Sequence, residues 1–150
     1  MATVKQLALV ANLEKEKEHK LVRQYQQAKQ SVFENQQKLA SLEKYRIDYM
    51  HLIKQKASEG LAAKALIQHQ SFVGKLDKAC EQQINVINQT TLVAEQRKQQ
   101  WLAQKTKAQA IHTLMQKLKL KQTQLEAKQE QKLFDELASQ SLLKLRTSIT

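Results

Sequence analysis

The residues of this chain whose side chains could do chemistry are few and scattered. No two of the four histidines have the spacing that would place them on one helical face, and none lies near a cysteine or paired carboxylates. A metal site needs three or four such ligands converging on one point, so the pattern does not indicate one. Cys80 falls within an apolar repeat, which predicts a buried, inert thiol. With no glycine-rich phosphate loop and no nucleophile motif, we expect neither an enzyme nor a cofactor. The histidines are His19, His51, His69 and His112.

A second group of charged side chains forms a basic run between Gln96 and Leu125, where no acidic residue occurs. The whole chain carries a formal net charge of +11, from 25 Lys and Arg against 14 Asp and Glu. A run of one sign over about eight helical turns indicates contact with an acidic partner, although a merely solvated face is the alternative. The basic run consists of Arg97, Lys98, Lys105, Lys107, Lys117, Lys119 and Lys121.

These residues must be positioned by helices, because the chain consists mainly of strong helix formers and contains no proline. The one strong break is at Ser58, Glu59 and Gly60, where glycine can adopt the positive φ at which helices end. Gly74 lies inside a continuous apolar repeat and is interpreted as a helical glycine. The sequence therefore predicts an all-α fold, a long antiparallel two-helix coiled-coil hairpin. Its expected parts are a helix over 3–57, a hinge at 58–61, a helix over 62–144 and a disordered tail at 145–150.

Apolar residues recur in heptads along both predicted helices. The first seam runs from Val4 to Ile53, with Glu14, Glu18 and Asn35 as polar members, and the second runs from Val73 to Leu125. In an antiparallel pair, an a position faces a d position, and two registers satisfy this rule. The preferred register turns about Leu61 and sets Leu21 against Trp101, Tyr25 near Arg97, Tyr49 against Val73 and Glu18 against Gln104. The alternative sets Glu14 against Trp101.

The second helix is predicted to overhang the first beyond about Leu118, because the second arm is the longer one. The overhang still carries an apolar stripe at helical spacing. This stripe predicts either a frayed amphipathic end or a docking surface for another protein. It includes Phe134, Leu137, Ala138, Leu142 and Leu145.

Aromatic and apolar side chains also concentrate beside the hinge. Three of them occupy d positions of the seam, whereas Tyr45, Phe72 and Ala79 occupy g positions on its flank. A two-helix seam cannot fully cover large rings at g, so part of this surface should stay exposed, as partner sites often are. Simple widening of the core is the alternative. We call this surface the hinge patch: Leu42, Tyr45, Tyr49, Phe72, Leu76 and Ala79.

No apolar run approaches the roughly 20 residues of a membrane span, and the N-terminus lacks the apolar core of a signal peptide. The single cysteine permits no internal disulfide. These features lead us to expect a cytoplasmic protein.

The chain resembles the FliJ proteins of the bacterial flagellar type III export apparatus. The resemblance covers most of the sequence and is strongest in 42–49, 60–62, 69–72 and 76–79 and at Trp101. It implies a coiled coil similar to the central stalk of rotary ATPases, which inserts its two-ended tip into the hexameric ring of the export ATPase. It also implies binding to the cytoplasmic part of the export gate membrane protein through the hinge patch, and the handling of export chaperones. Lys38 and Gln83 stand where the resemblance leads us to expect glutamine and histidine.

The leading interpretation is thus a non-enzymatic stalk and adaptor, associated with the membrane at the base of the flagellum only through its partners. The tip is expected to contact the ATPase ring through the basic run. Two alternatives remain at this point: the equivalent stalk of a virulence type III secretion system, and a nucleic-acid-binding coiled coil that uses the basic run. The latter lacks a recognition module. A membrane-surface helix is weaker still, because the first arm covers the apolar residues of the basic run.

Overall fold

The computed structural model describes residues 3–149, which form two α-helices joined by a short turn. Helix α1 spans Val4–Ser58 and helix α2 spans Ala63–Ile149, and no strand occurs between residues 3 and 149. The two helices pack against each other. The predicted all-α coiled-coil hairpin is therefore confirmed.

The ends of α1 are set by local hydrogen bonds. Thr3 and Gln6 form a capping box. The backbone N–H of Gln6 donates to Thr3 Oγ1 (3.2 Å), and the backbone N–H of Thr3 donates to Gln6 Oε1 (3.0 Å). At the other end, the Ser58 hydroxyl donates to the Gln55 carbonyl at 2.7 Å. Gly60 follows with φ 95°, the positive value expected of it from the sequence.

The predicted seam is the core of the molecule. Every seam position of α1 from Val4 to Ile53 is buried or half-buried, and so is every seam position of α2 from Val73 to Leu118. Since side chains from only two helices meet, few residues are closed off from solvent completely. The buried residues are Glu14, Leu76, Cys80, Ala94 and Ala108.

The chain divides into two compact units, which we describe separately. The turn-proximal unit comprises residues 18–103. Within it, Tyr25 stacks on Trp101 with ring centroids 5.7 Å apart and an interplanar angle of 18°. In the preferred register Tyr25 lies opposite Arg97, and Trp101 follows Arg97 by one helical turn. The alternative register would separate the two rings by about 16 Å along the helix axis. The contacts of this unit are therefore those of the register that turns about Leu61.

A polar layer lies within the same seam. Gln83 Nε2 donates to the carbonyl oxygen of Asn35 at 2.9 Å and to its Oδ1 at 3.0 Å. Asn35 Nδ2 in turn donates to the Ser31 carbonyl at 2.8 Å. The half-buried amides thus have partners, and the polar seam position predicted at Asn35 pairs with one specific residue of α2.

The terminal unit contains the remaining residues, 3–17 and 104–149 of the described chain. Its buried carboxylate, Glu14, is 6% exposed and accepts a hydrogen bond from the Gln104 amide. Lys17 and Lys107 approach Glu14 Oε1 at 3.4 and 3.6 Å. The preferred register places Ala108 opposite Glu14. Gln104 lies one turn before Ala108, and Lys107 directly precedes it. The sequence predicted a polar layer between Glu18 and Gln104, but the Gln104 amide donates to Glu14 instead.

The hydrogen bond from Gln104 is the main reason why the pKa of Glu14 lies below the ordinary value of a glutamate. Burial acts in the opposite direction, and the charges of Lys107 and Lys17 lower the pKa further. Glu14 is consequently held as a carboxylate in the seam, where Gln104, Lys17 and Lys107 stabilise its charge.

The C-terminal part of α2 is fully helical, which corrects one prediction. A helix ending at 144 and a disordered tail over 145–150 were expected, but α2 continues to Ile149, and Thr150 lies outside the described residues. The local sequence explains the longer helix. Leucines and basic residues favour helix here, no glycine or proline interrupts it, and Arg146 stands in the last turn, where a cation is favourable.

Every residue from Lys119 to Ile149 is exposed, as expected for the predicted overhang. Neither described helix contains a stretch with the length and apolar character of a membrane span.

Candidate functional site

The hinge patch forms a cluster of rings in the turn-proximal unit. The ring of Tyr49 lies 4.7 Å from that of Phe72 between centroids, at an angle of 63°. Tyr45 meets the edge of Phe72 at 6.3 Å and an interplanar angle of 89°, and it lies 6.4 Å from Tyr49. These are the tilted and edge-to-face geometries that aromatic side chains prefer. The heptad therefore brings two rings of α1 that lie one turn apart against a ring of α2.

The cluster is graded in exposure from the seam outwards. Leu76 is 8% exposed, Tyr49 and Phe72 are half-buried, and Tyr45 is 51% exposed. Leu42 and Ala79 are half-buried as well. The g position explains the exposure of Tyr45, because a g side chain points along the flank of a two-helix seam rather than into it. The surface thus presents a large ring to solvent on a well-packed support.

A hydrogen bond fixes the centre of the patch. The Tyr49 hydroxyl bonds to Nδ1 of His69, and the two rings are 5.7 Å apart between centroids. The polar end of Tyr49 is therefore satisfied within the protein, and a change in the χ1 rotamer of Tyr49 would break this bond. The sequence pattern does not predict that His69 belongs to the patch, because a histidine one turn before Phe72 carries no distinctive signal.

The opposite flank of the seam carries an ion pair, and further apolar side chains are exposed near the turn. Arg46 occupies a seam position but extends to the edge, where its Nη1 lies 2.9 Å from Asp77 Oδ1. This hydrogen bond is the main cause of a raised pKa for Arg46. Exposed apolar side chains near the turn could have been recognised as residues at b, e and g positions. They are Ile47, Met50, Leu52 and Ile67.

The basic run does not form one uniform surface. Arg97, Lys98 and Lys105 are half-buried, and Arg97 Nη1 donates to Gln100 Oε1 at 3.4 Å. Lys107 is engaged with Glu14 through the ion pair described above. The remaining three are exposed on the terminal unit, so the positive charge open to a partner there is centred on Lys117, Lys119 and Lys121.

Lys38 and Gln83 are the two positions beside the hinge patch that differ from what the resemblance implies. Gln83 belongs to the polar layer with Asn35, so its amide is already used within the seam. Lys38 is exposed.

Among residues 3–149, no group of three or more His, Cys, Asp or Glu side chains has the arrangement of a metal site. Cys80 is a free, buried thiol, as predicted.

Comparison with models of protein families gives a match over residues 3–146, nearly the whole chain, to the family described as flagellar FliJ protein. Neither a search of curated proteins nor a search of solved structures gives a match.

Proposed function

We propose that this chain, which belongs to the FliJ family of flagellar proteins, is a stalk and adaptor that connects the export ATPase to the export gate. Membership of the family makes it a non-catalytic protein associated with flagellar type III export. The finer proposal has three parts: the terminal unit enters the ATPase ring, the hinge patch binds the cytoplasmic part of the gate, and the chain handles export chaperones. It would act in the cytoplasm, next to the membrane at the flagellar base.

The observation that carries the gate assignment is the exposed ring of Tyr45 on its support of Phe72 and Tyr49. Interfaces commonly concentrate their binding energy in a few such aromatic side chains. Because Tyr49 is fixed by His69 and by the edge contact with Phe72, little conformational entropy would be lost when a partner covers the cluster. The patch is therefore suited to recognition as well as to packing.

The experiment measures stability and gate affinity for the same alanine variants. Tyr45→Ala removes a half-exposed ring and should destabilise the fold by about 1 kcal/mol, since roughly 50 Å² of buried area is lost. It should reduce affinity for the soluble part of the gate by about 2 kcal/mol or more. Phe72→Ala should also weaken binding by more than its loss of stability. Leu76→Ala is the control, because a buried seam leucine should lose stability by about 2–5 kcal/mol and binding with it.

The outcome that contradicts the gate assignment is a proportional one. If Tyr45→Ala and Phe72→Ala lower affinity only as far as they lower stability, the rings are ordinary coiled-coil packing.

The assignment to the ATPase ring is supported by the exposed lysines of the terminal unit. A single asymmetric rod inside a ring of identical subunits makes different contacts with each subunit. It can thereby bind one set of subunit conformations better than another and shift their populations. Acidic side chains on the inner surface of the ring would be attracted to the exposed lysines.

Charge reversal tests this part of the proposal. Changing three exposed lysines of the terminal unit to glutamate should weaken stimulation of the ATPase at moderate salt while helix content stays the same. These are Lys117, Lys119 and Lys121. A matched triple reversal near the turn should leave stimulation unchanged, and its members are Lys54, Lys56 and Lys64. Unchanged stimulation with the first triple would mean that the basic run is only a solvated face.

The handling of chaperones is proposed from the family alone. A nucleic-acid-binding role is disfavoured by a specific observation, namely that Trp101 is stacked on Tyr25 within the seam. Its ring is therefore not presented for stacking on a base.

A further inference from the structure

The exposed apolar stripe near the C-terminus of α2 does not continue the seam. Three half-buried seam positions of α2, Ile111, Met115 and Leu118, define a heptad frame that reaches residues 132, 136, 139 and 143 when it is continued into the stripe. The first three of those positions hold Lys, Glu and Ser, and only the last holds an apolar residue, a leucine. The apolar side chains lie two residues out of this frame, which corresponds to about 200° around the helix. The stripe therefore faces away from the side on which α1 would have to lie.

The stripe has its own coiled-coil frame. Phe134, Ala138, Ser141 and Leu145 follow one another at steps of four, three and four, which makes them d, a, d and a positions. Leu137 and Leu142 flank them at g and e. Phe134 is 71% exposed and Leu145 is 58% exposed, and every other member of the stripe is exposed too. A heptad face of this kind without a partner indicates an interface.

Charge along this segment indicates what covers the face. Residues 130–136 contain three acidic side chains and one lysine, whereas residues 142–149 contain Lys144 and Arg146 and no acidic residue. Opposite charges therefore occupy opposite ends of the same segment. A second copy that lies antiparallel brings the acidic end of each chain against the basic end of the other, and a parallel copy brings like charges together.

We propose that residues 130–149 of two copies of this chain pair as an antiparallel coiled coil. The frame requires a d position to meet an a position across the two-fold axis, and we choose the register that covers the whole stripe. Phe134 of each chain then packs against Leu145 of the other, and Ala138 packs against Ser141. Asp135 of each chain lies on the same flank as Arg146 of the other. This inference concerns the isolated chain and does not depend on the gate or the ATPase ring.

The size of the face fixes the strength of the dimer. Residues 134–149 extend about 24 Å, which is too short to bury the roughly 1,200 Å² of a standard stable interface. The dimer should therefore form reversibly and dissociate on dilution.

Sedimentation equilibrium of the whole chain over a wide concentration range measures this. The average mass should rise from the 17.3 kDa of one chain towards twice that value. Phe134→Ala should weaken the dimer by about tenfold or more. Leu143→Ala is the matched control, since Leu143 is 61% exposed in the same segment but lies on the far side of the helix, and this variant should dimerise normally. Circular dichroism of both variants checks that helix content is unchanged.

Charge variants and cysteine pairs test the orientation. Lys144→Glu with Arg146→Glu should weaken the dimer by on the order of tenfold, and adding Glu130→Lys with Asp135→Lys should restore it. With Cys80→Ala as background, a mixture of Phe134→Cys and Leu145→Cys chains should form a mixed disulfide. Leu145→Cys alone should not link to itself, because an antiparallel pair holds the two positions about 16 Å apart along the axis.

Three results would overturn the proposal. The first is a chain that stays at the mass of one copy at every concentration, in which case the stripe is not an interface between two copies. The second is efficient self-linking of Leu145→Cys, which indicates a parallel pair. The third is an equal loss of dimer in Leu143→Ala and Phe134→Ala.

Discussion

The two glycines of this chain should respond in opposite directions to the same substitution. A Cβ atom added at Gly60 or at Gly74 meets no atom within 4 Å, so steric space does not distinguish the two sites. Backbone conformation does. Gly74 lies inside α2, whereas Gly60 has φ 95° in the turn. Gly74→Ala should stabilise the fold by about 0.5–1 kcal/mol, because alanine restricts the unfolded chain and is the better helix former. Gly60→Ala should destabilise it by about 1–2 kcal/mol, because an L side chain is strained at positive φ.

Thermal unfolding followed by circular dichroism measures both changes under identical conditions. For a chain of this size 1 kcal/mol corresponds to about 2–4 °C, so the two Tm values should differ by roughly 4 °C or more, with wild type between them. A lower Tm for Gly74→Ala would refute the reasoning, since it would mean that the space beside Gly74 is needed by the fold. An unchanged Tm for Gly60→Ala would equally show that the turn does not depend on positive φ.

Two further predictions concern the seam. In a Cys80→Ala background, cysteines replacing Leu21 and Trp101 should form a disulfide within one chain, whereas cysteines replacing Leu21 and Ala94 should not; the reverse result would establish the alternative register. The second prediction concerns pH. The folded-state pKa of Glu14 is lowered, so its contribution to stability is present above the unfolded pKa of about 4.3 and is lost as pH falls through the folded value. Glu14→Gln should therefore lower Tm at neutral pH and converge with wild type in acid, and a Tm difference that does not change with pH would contradict this account.

The fold was predictable because a heptad specifies which side of a helix is buried and an antiparallel pair allows few registers. The predicted seam from Val4 to Ile53 agrees residue by residue with the buried and half-buried positions of α1. The partners of polar seam residues were harder to predict. A d position such as Glu14 is surrounded by several residues of the other helix, and only the reach of Gln104 and Lys107 selects its partners. The heptad gave no signal for the bond between Tyr49 and His69, because it depends on rotamers rather than on spacing.

The frame shift between the seam and the C-terminal stripe makes the spacer between Leu118 and Phe134 an angular adjustment. Each residue added to or removed from a continuous helix turns everything beyond it by about 100° and moves it by 1.5 Å. A substitution among the exposed side chains of the spacer leaves this angle unchanged, whereas an insertion or a deletion changes it. One inserted residue would redirect Phe134 and Leu145 by more than a quarter of a turn without altering a single contact of the seam. The number of residues in the spacer therefore sets the direction of the stripe relative to the seam.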